Sequence, residues 1–151
     1  MHKTIISDTS SFIILTNIGE LELLHKVYGQ IVTTLDIATE YGEMLPEWVE
    51  IATVKDKYRQ QLLEMQIDRG ESSAIALALE TPNSTIILDD YKARKIAERL
   101  GLTFTGTIGV IIKAKLTGII PSIKPLLKKI KLTNFYLSAE IEVEALKEAK
   151  E

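Results

Sequence analysis

The seven residues Ser84-Thr85-Ile86-Ile87-Leu88-Asp89-Asp90 constrain this chain more than any others. Thr85 to Leu88 is apolar or β-branched without alternation, the pattern of a short strand buried on both faces. It runs straight into two adjacent aspartates. From Tyr91, apolar Ile96, Ala97 and Leu100 then fall at helical spacing, and Gly101 suits the left-handed position that ends a helix. Strand, acid and helix in that order make half of a βαβ unit. Ligands of open parallel sheets bind beyond the carboxyl ends of the strands, so Asp89 and Asp90 are predicted at a site-bearing edge.

The order recurs along the chain. Thr4-Ile5-Ile6-Ser7 reads as a first strand ended by Asp8, and Thr9-Ser10-Ser11 is helix-capping material before Phe12–Ile18 and Gly19. Glu20 to Tyr28 is an amphipathic helix, and Gln30 to Thr33 a second strand. Thr34 or Asp36 opens a helix over Ile37–Tyr41, stopped by Gly42. Trp48 to Val54 fits neither period and is predicted to be extended or irregular. Asp56 to Ile67 is predicted helical. Glu71 stands in the first turn of a helix whose Ala74, Ala76 and Ala78 allow close packing on a sheet. After Gly101 come a strand at Leu102–Thr105, a Gly106-Thr107-Ile108-Gly109 turn, and helices at Val110–Leu116, from Pro121-Ser122 to Lys131, and at about Ser138–Lys150. This alternation predicts one α/β domain, a three-layer α/β/α sandwich around a mainly parallel sheet. Its core is expected at about 3–131, with a C-terminal helix at about 138–150.

The 151 residues suffice for a sizeable core. The absence of cysteine excludes a disulfide framework, a thiolate zinc site and a cysteine nucleophile. The N-terminal stretch lacks a signal-peptide pattern, and no apolar run reaches the roughly 18–20 residues that span a bilayer, so a soluble cytoplasmic protein is expected. A net charge of −3 argues against a nucleic-acid partner, yet between Arg99 and Ala139 there is no acid at all. That segment carries Lys113, Lys115, Lys124, Lys128, Lys129 and Lys131. A solvated helical face and a phosphate-contacting surface explain it equally well.

Each special acid has an ordinary reading. Asp8 and Asp90 fit helix N-caps, Glu71 a first-turn acid facing the helix dipole, and Glu40 a solvated helix acid. His25 is expected on a helix surface, and Tyr28, Trp48 and Tyr58 in packing roles. What favours chemistry is recurrence, because these acids flank strand ends or packed helices that converge in a parallel sheet. Converging carboxylates raise one another's pKa, and a hard divalent cation removes the conflict. Such a site performs in-line phosphoryl chemistry, and it requires neither cysteine nor histidine.

Five segments together resemble the PIN-domain ribonucleases, in particular a VapC-toxin-like branch. They are Ile6-Ser7-Asp8-Thr9-Ser10-Ser11; Leu35-Asp36-Ile37-Ala38-Thr39-Glu40; Arg69-Gly70-Glu71-Ser72-Ser73-Ala74-Ile75-Ala76-Leu77-Ala78; Leu88-Asp89-Asp90-Tyr91-Lys92-Ala93-Arg94; and Gly106-Thr107-Ile108-Gly109-Val110. The resemblance implies Asp8, Glu40, Glu71 and Asp90 as catalytic acids. Of these, Asp8, Glu71 and Asp90 would hold Mg²⁺ or Mn²⁺, with Asp89 as a further ligand or a partner behind the ligands. Thr9 and Ser10 match hydroxyl positions near the substrate phosphate. It further implies hydrolysis of RNA, a homodimer and, for toxins, a cognate antitoxin protein. Ser11 departs from the proline frequent among relatives, and the doubled Asp89-Asp90 leaves the last ligand open by one residue. Lys113 and Lys115 are expected on the RNA backbone. Arg94, one turn past Asp90, is expected to steer phosphate or to pair with a ligand carboxylate.

Three other readings compete. Phosphate-monoester chemistry is disfavoured by Ser10, which stands where a second acid would be needed. A phosphate-accepting signalling domain would place its acid pair early in the chain. A catalytically inactive PIN-like module that binds RNA or protein has no need of the full set of acids.

Overall fold

The structure, a computed structural model, describes residues 3–151. His2, for which the sequence suggests no role, lies outside them. Strands and helices alternate throughout. β1 (Thr4–Ser7) is followed by α1 (Thr9–Asn17) and α2 (Glu22–Tyr28), and β2 (Ile31–Thr34) by α3 (Leu35–Tyr41). β3 (Val49–Ala52) is followed by α4 (Lys57–Leu63) and α5 (Arg69–Leu79), and β4 (Ser84–Ile87) by α6 (Tyr91–Arg99). β5 (Thr103–Thr105) leads to α7 (Thr107–Leu116), α8 (Lys124–Lys131) and α9 (Ala139–Glu148).

The strands form one parallel sheet in the order β3-β2-β1-β4-β5. Neighbouring residues of a strand point to opposite faces, and both Ile5 and Ile6 of β1, and both Ile86 and Ile87 of β4, are buried. The sheet is therefore covered on both sides, the middle layer of a three-layer α/β sandwich. Helix α5 supplies much of one cover. It packs against β1, β2 and β4, and its Ala74, Ile75 and Ala76 are wholly buried, the small alanines letting the helix approach the strands closely.

β1 sits at the centre. The chain leaves it toward β2 on one side and returns past it to β4 on the other. This reversal opens a crevice at the carboxyl ends of β1 and β4, the usual place for ligands in such sheets. Ser7 pairs with Ile87, and the Asp8 N–H donates to the Ile87 carbonyl at 3.0 Å. Register alone thus brings Asp8 alongside the Leu88-Asp89-Asp90 exit.

Two local expectations change. Helix α1 starts at Thr9, so Thr9-Ser10-Ser11 form its first turn rather than precede it. Asp8 remains extended, with φ −79° and ψ 170°, which lets the helix follow the strand with no connecting loop. Helix α7 likewise starts at Thr107, within the Gly106–Gly109 stretch expected to precede it. The Trp48–Val54 stretch, expected to be extended or irregular, contains edge strand β3, half exposed along its length, and so lacks the continuous apolar pattern of the inner strands.

Candidate active site

The crevice has an acidic floor and an acidic rim. Asp8 is the floor, only 3% exposed. It occupies the position before α1 where an aspartate ordinarily caps, yet its side chain makes no capping bond, and Oδ1 is buried without a hydrogen-bond partner. Burial pushes its pKa from 3.8 up to about 8. The Thr9 backbone N–H pulls the other way, while Glu71, Asp68 and Glu40 push it further up by repulsion.

Glu71 enters from α5. It and Asp68 form a capping box: the Glu71 N–H donates to Asp68 Oδ1 at 2.8 Å, and the Asp68 N–H donates to Glu71 Oε1 at 3.3 Å. Partial burial first, then the charges of Asp68 and Asp90, raise the Glu71 pKa to about 7. Glu40 arrives from the last turn of α3. Its Oε1 accepts a short hydrogen bond from the Thr9 hydroxyl and lies across the backbone of Gly70, where an added Cβ would come within 2.6 Å of it. The glycine of the Gly70-Glu71 pair is thus a space requirement, since any side chain there would displace Glu40.

Beneath the rim, hydroxyls tie the elements together. Thr34 Oγ1 and Ser73 Oγ share a 2.7 Å hydrogen bond, Ser73 donates to the Gly70 carbonyl, and Thr33 donates to the Ser7 carbonyl. All are buried, so the positions of β1, β2 and α5 are fixed together.

The doubled aspartate divides. Asp90 caps α6, accepting from the Ala93 N–H at 2.9 Å, and its charge reaches Glu71. Asp89 turns the other way. It accepts from the Thr107 N–H at 2.8 Å and the Thr107 hydroxyl at 2.6 Å, fastening the start of α7. Gly106 makes room for this, since a Cβ there would stand 2.9 Å from Asp89 Oδ1 and 3.2 Å from an Arg94 nitrogen.

Asp8, Glu40, Glu71 and Asp90 therefore share one electrostatic neighbourhood, with Thr9 inside it and Ser10 half-buried in the same first turn of α1. Asp89 stands beside that neighbourhood with its oxygens committed to Thr107. Arg94 makes no ion pair among the described residues. Its guanidinium lies over the Phe104 ring, 5.0 Å from the centroid. Lys113 and Lys115 do not come to this edge, because they occupy the last turn of α7, a helix whose first turn faces it. Lys113 lies over the Tyr28 ring, and Lys115 donates to the Ala149 carbonyl. Farther along the acid-free segment, Lys129 pairs with Glu20 and Lys131 with Glu142, so acids elsewhere in the chain answer these two lysines.

Sequence reasoning missed Asp68 as a member of the cluster. Its signal was present, since an aspartate three residues before a glutamate at a helix start is a capping-box spacing.

All donors in the crevice are hard oxygens, and a buried carboxylate oxygen lacks a partner, which suits a divalent cation. Among the described residues no group of three or more side chains is arranged as a ready metal cage. Mg²⁺ commonly uses one or two carboxylates with waters and phosphate, so the donor set fits it.

The comparisons settle the family. The family model for DUF3368, a PIN domain, matches residues 4–151. The chain belongs to the PIN-domain family. PIN domains are in general nucleases that use divalent metal ions, which places this chain among the hydrolases at that level. No curated protein and no solved structure matches it significantly. No helix of the described residues is long and apolar enough to cross a membrane.

Proposed function

We propose that this PIN domain is a metal-dependent endoribonuclease, the toxin of a toxin–antitoxin pair or a close relative of one, acting in the cytoplasm. The observation that carries the reading is Asp8, a carboxylate buried at the carboxyl edge of the central strand, without a cap bond and amid like charges. A structural aspartate has no reason to accept that environment.

In this reading Asp8, Glu71 and Asp90 hold Mg²⁺ or Mn²⁺. When bound, the ion supplies an activated water and neutralises charge on the phosphate. The chain does the rest. Thr9 fixes Glu40 by its hydroxyl, and Glu40 would order the metal site or its water. The first turn of α1, with Thr9 and Ser10, faces the phosphate with backbone N–H groups. The capping box holds Glu71 in place against the repulsion of Asp68 and Asp90. Exposed Leu35, Tyr58, Leu62 and Met65 on and beside α3 and α4 support a protein-facing surface for a homodimer or an antitoxin.

The test is cleavage of a labelled single-stranded RNA pool by purified protein with Mn²⁺, Mg²⁺ or chelator, alongside Asp8→Asn and Asp90→Asn. Metal-dependent cuts lost in both variants are expected. Undiminished cleavage by Asp8→Asn would sink the assignment, and RNA binding without cleavage by the unaltered protein would favour an inactive binding module.

A further inference from the structure

Beside the acidic crevice, on the β5 side, lies a cavity of about 390 Å³. Its walls include Asp89, Arg94, Phe104, Phe135, Ile141 and Glu144, so it is an open cavity bounded by the β5 edge, the start of α7 and helix α9. Asp89 lines this cavity and the next residue, Asp90, belongs to the crevice. Adjacent residues thus link the cavity to the crevice.

Three features define what fits. First, the Arg94 Nε is buried with no acceptor, and no carboxylate lies within ion-pair distance of this arginine among the described residues. One face of its guanidinium is covered by Phe104, so its N–H edge is what a ligand would meet. An unanswered buried donor requires an acceptor. Second, Asp89, Glu144 and Glu148 also line the space, so carboxylates outnumber the single arginine and a phosphate group is disfavoured. Third, Phe135 and Tyr136 offer aromatic surface of the kind on which flat rings stack. The ligand is thus uncharged and planar, with acceptors on one edge and donors on another. A lysine or arginine side chain from a protein fails, because it brings no acceptor and repels Arg94.

Guanine meets all three conditions. Its O6 and N7 accept from an arginine, and its N1–H and N2–H₂ donate to carboxylates. Sequence-specific RNA recognition commonly takes unstacked bases onto aromatic and arginine planes. We propose that this cavity holds a guanine base of the RNA chain next to the scissile phosphate, with Arg94 reading O6 and N7 and the α9 carboxylates reading the donor edge. The proposal rests on the ribonuclease reading for its place in the reaction, and it makes the cavity the source of cleavage-site preference.

Two measurements test it separately from the nuclease reading. In the first, RNA pools carrying guanine, adenine or 7-deazaguanine at each position are cleaved with Mn²⁺, and the guanine-to-adenine ratio around the cut is read. That ratio does not move with a general loss of activity. A preference of about 10- to 100-fold at one position is expected, falling toward one in Arg94→Gln and with 7-deazaguanine. Ile141→Trp, a change at an exposed position on α9, should fill the cavity and lower the ratio even where Arg94→Gln fails to fold. In the second, single-stranded hexamers with or without one guanine bind the protein in chelator, where nothing is cut.

Cleavage with a ratio near one, or a ratio unmoved by both variants, overturns the pocket and leaves the nuclease. Guanine discrimination in chelator, lost in the variants, upholds the pocket even if no cleavage is ever seen. Neither cleavage nor discrimination overturns both. Binding of a triarginine peptide that Ile141→Trp abolishes, without guanine discrimination, would overturn the base in favour of a basic protein partner.

Discussion

Asp8 and Asp89 lie just past the ends of two paired strands of one sheet, β1 and β4, and differ in almost everything else. Asp8 is buried, uncapped and surrounded by carboxylates. Asp89 is half-buried, and both its oxygens accept hydrogen bonds from Thr107. One acid is an electrostatic conflict that the metal-free fold tolerates, and the other is a fastening that the fold uses. The difference teaches where to look for chemistry. A carboxylate whose bonds are complete within the chain is structural, and one held against repulsion is kept for something not in the chain.

The largest effect expected from this contrast is at Asp8. Asp8→Asn should lower metal-dependent RNA cleavage by at least about 100-fold, since even residues that merely orient metal ligands are worth about 10- to 100-fold. Stability should move the opposite way, and its pH dependence gives the sign. Below pH 3.8 the carboxyl is protonated in folded and unfolded chains alike. Between 3.8 and about 8 the folded chain keeps a proton that the unfolded chain has released, so metal-free stability falls as pH rises through that window. The loss reaches at most about 6 kcal/mol by pH 8 and above, and Asp8→Asn should remove most of it. Chemical denaturation in chelator at pH 5 and pH 8 checks this. A variant that is less stable at pH 8 would erase the contrast.

Gly70→Ala tests whether the rim is held as tightly as the floor. The methyl group would meet Glu40 Oε1, so cleavage should drop by about 10- to 100-fold while the melting temperature stays within a few degrees. Asp89→Ala and Asp90→Ala sharpen the contrast between adjacent residues. Each loses a helix-start bond and should lose about 1–2 kcal/mol in denaturant titrations. Only Asp90→Ala should also lose the stabilisation that Mn²⁺ gives. An equal loss of Mn²⁺ response in Asp89→Ala would remove the distinction. The smallest effect belongs to Lys113→Ala, which gives up a contact with Tyr28 worth about 0.5–1 kcal/mol and should change cleavage less than about threefold.

The inner strands were plain in the sequence because burial on both faces leaves an unbroken apolar run, as in Thr85–Leu88. β3 was not, because an edge strand with Glu50 and Ile51 exposed carries no such run. The acids were legible one at a time, as residues at strand and helix ends. Their sharing was not. Whether Asp89 or Asp90 faces Glu71 depends on which of them begins α6, and helix boundaries are read from sequence only to within a residue or two. The lysine-rich stretch was open to two readings for a related reason. A run without acids says nothing about acids folded against it, and Glu20 and Glu142 come from distant parts of the chain. The cavity beside the crevice had no sequence signal either, since its walls are gathered from β5, α7 and α9.

The strand order also sets a schedule. β1 leaves the ribosome before the other four strands of its sheet, but one of its two neighbours is β4, and the acid whose charge reaches Glu71 lies beyond β4. A growing chain can pair β1 with β2 early, yet the set of carboxylates is incomplete until Asp90 has emerged. Translation therefore proceeds past β4 before the acidic crevice is complete, and a product terminated short of Asp90 carries Asp8 without its full set of partners.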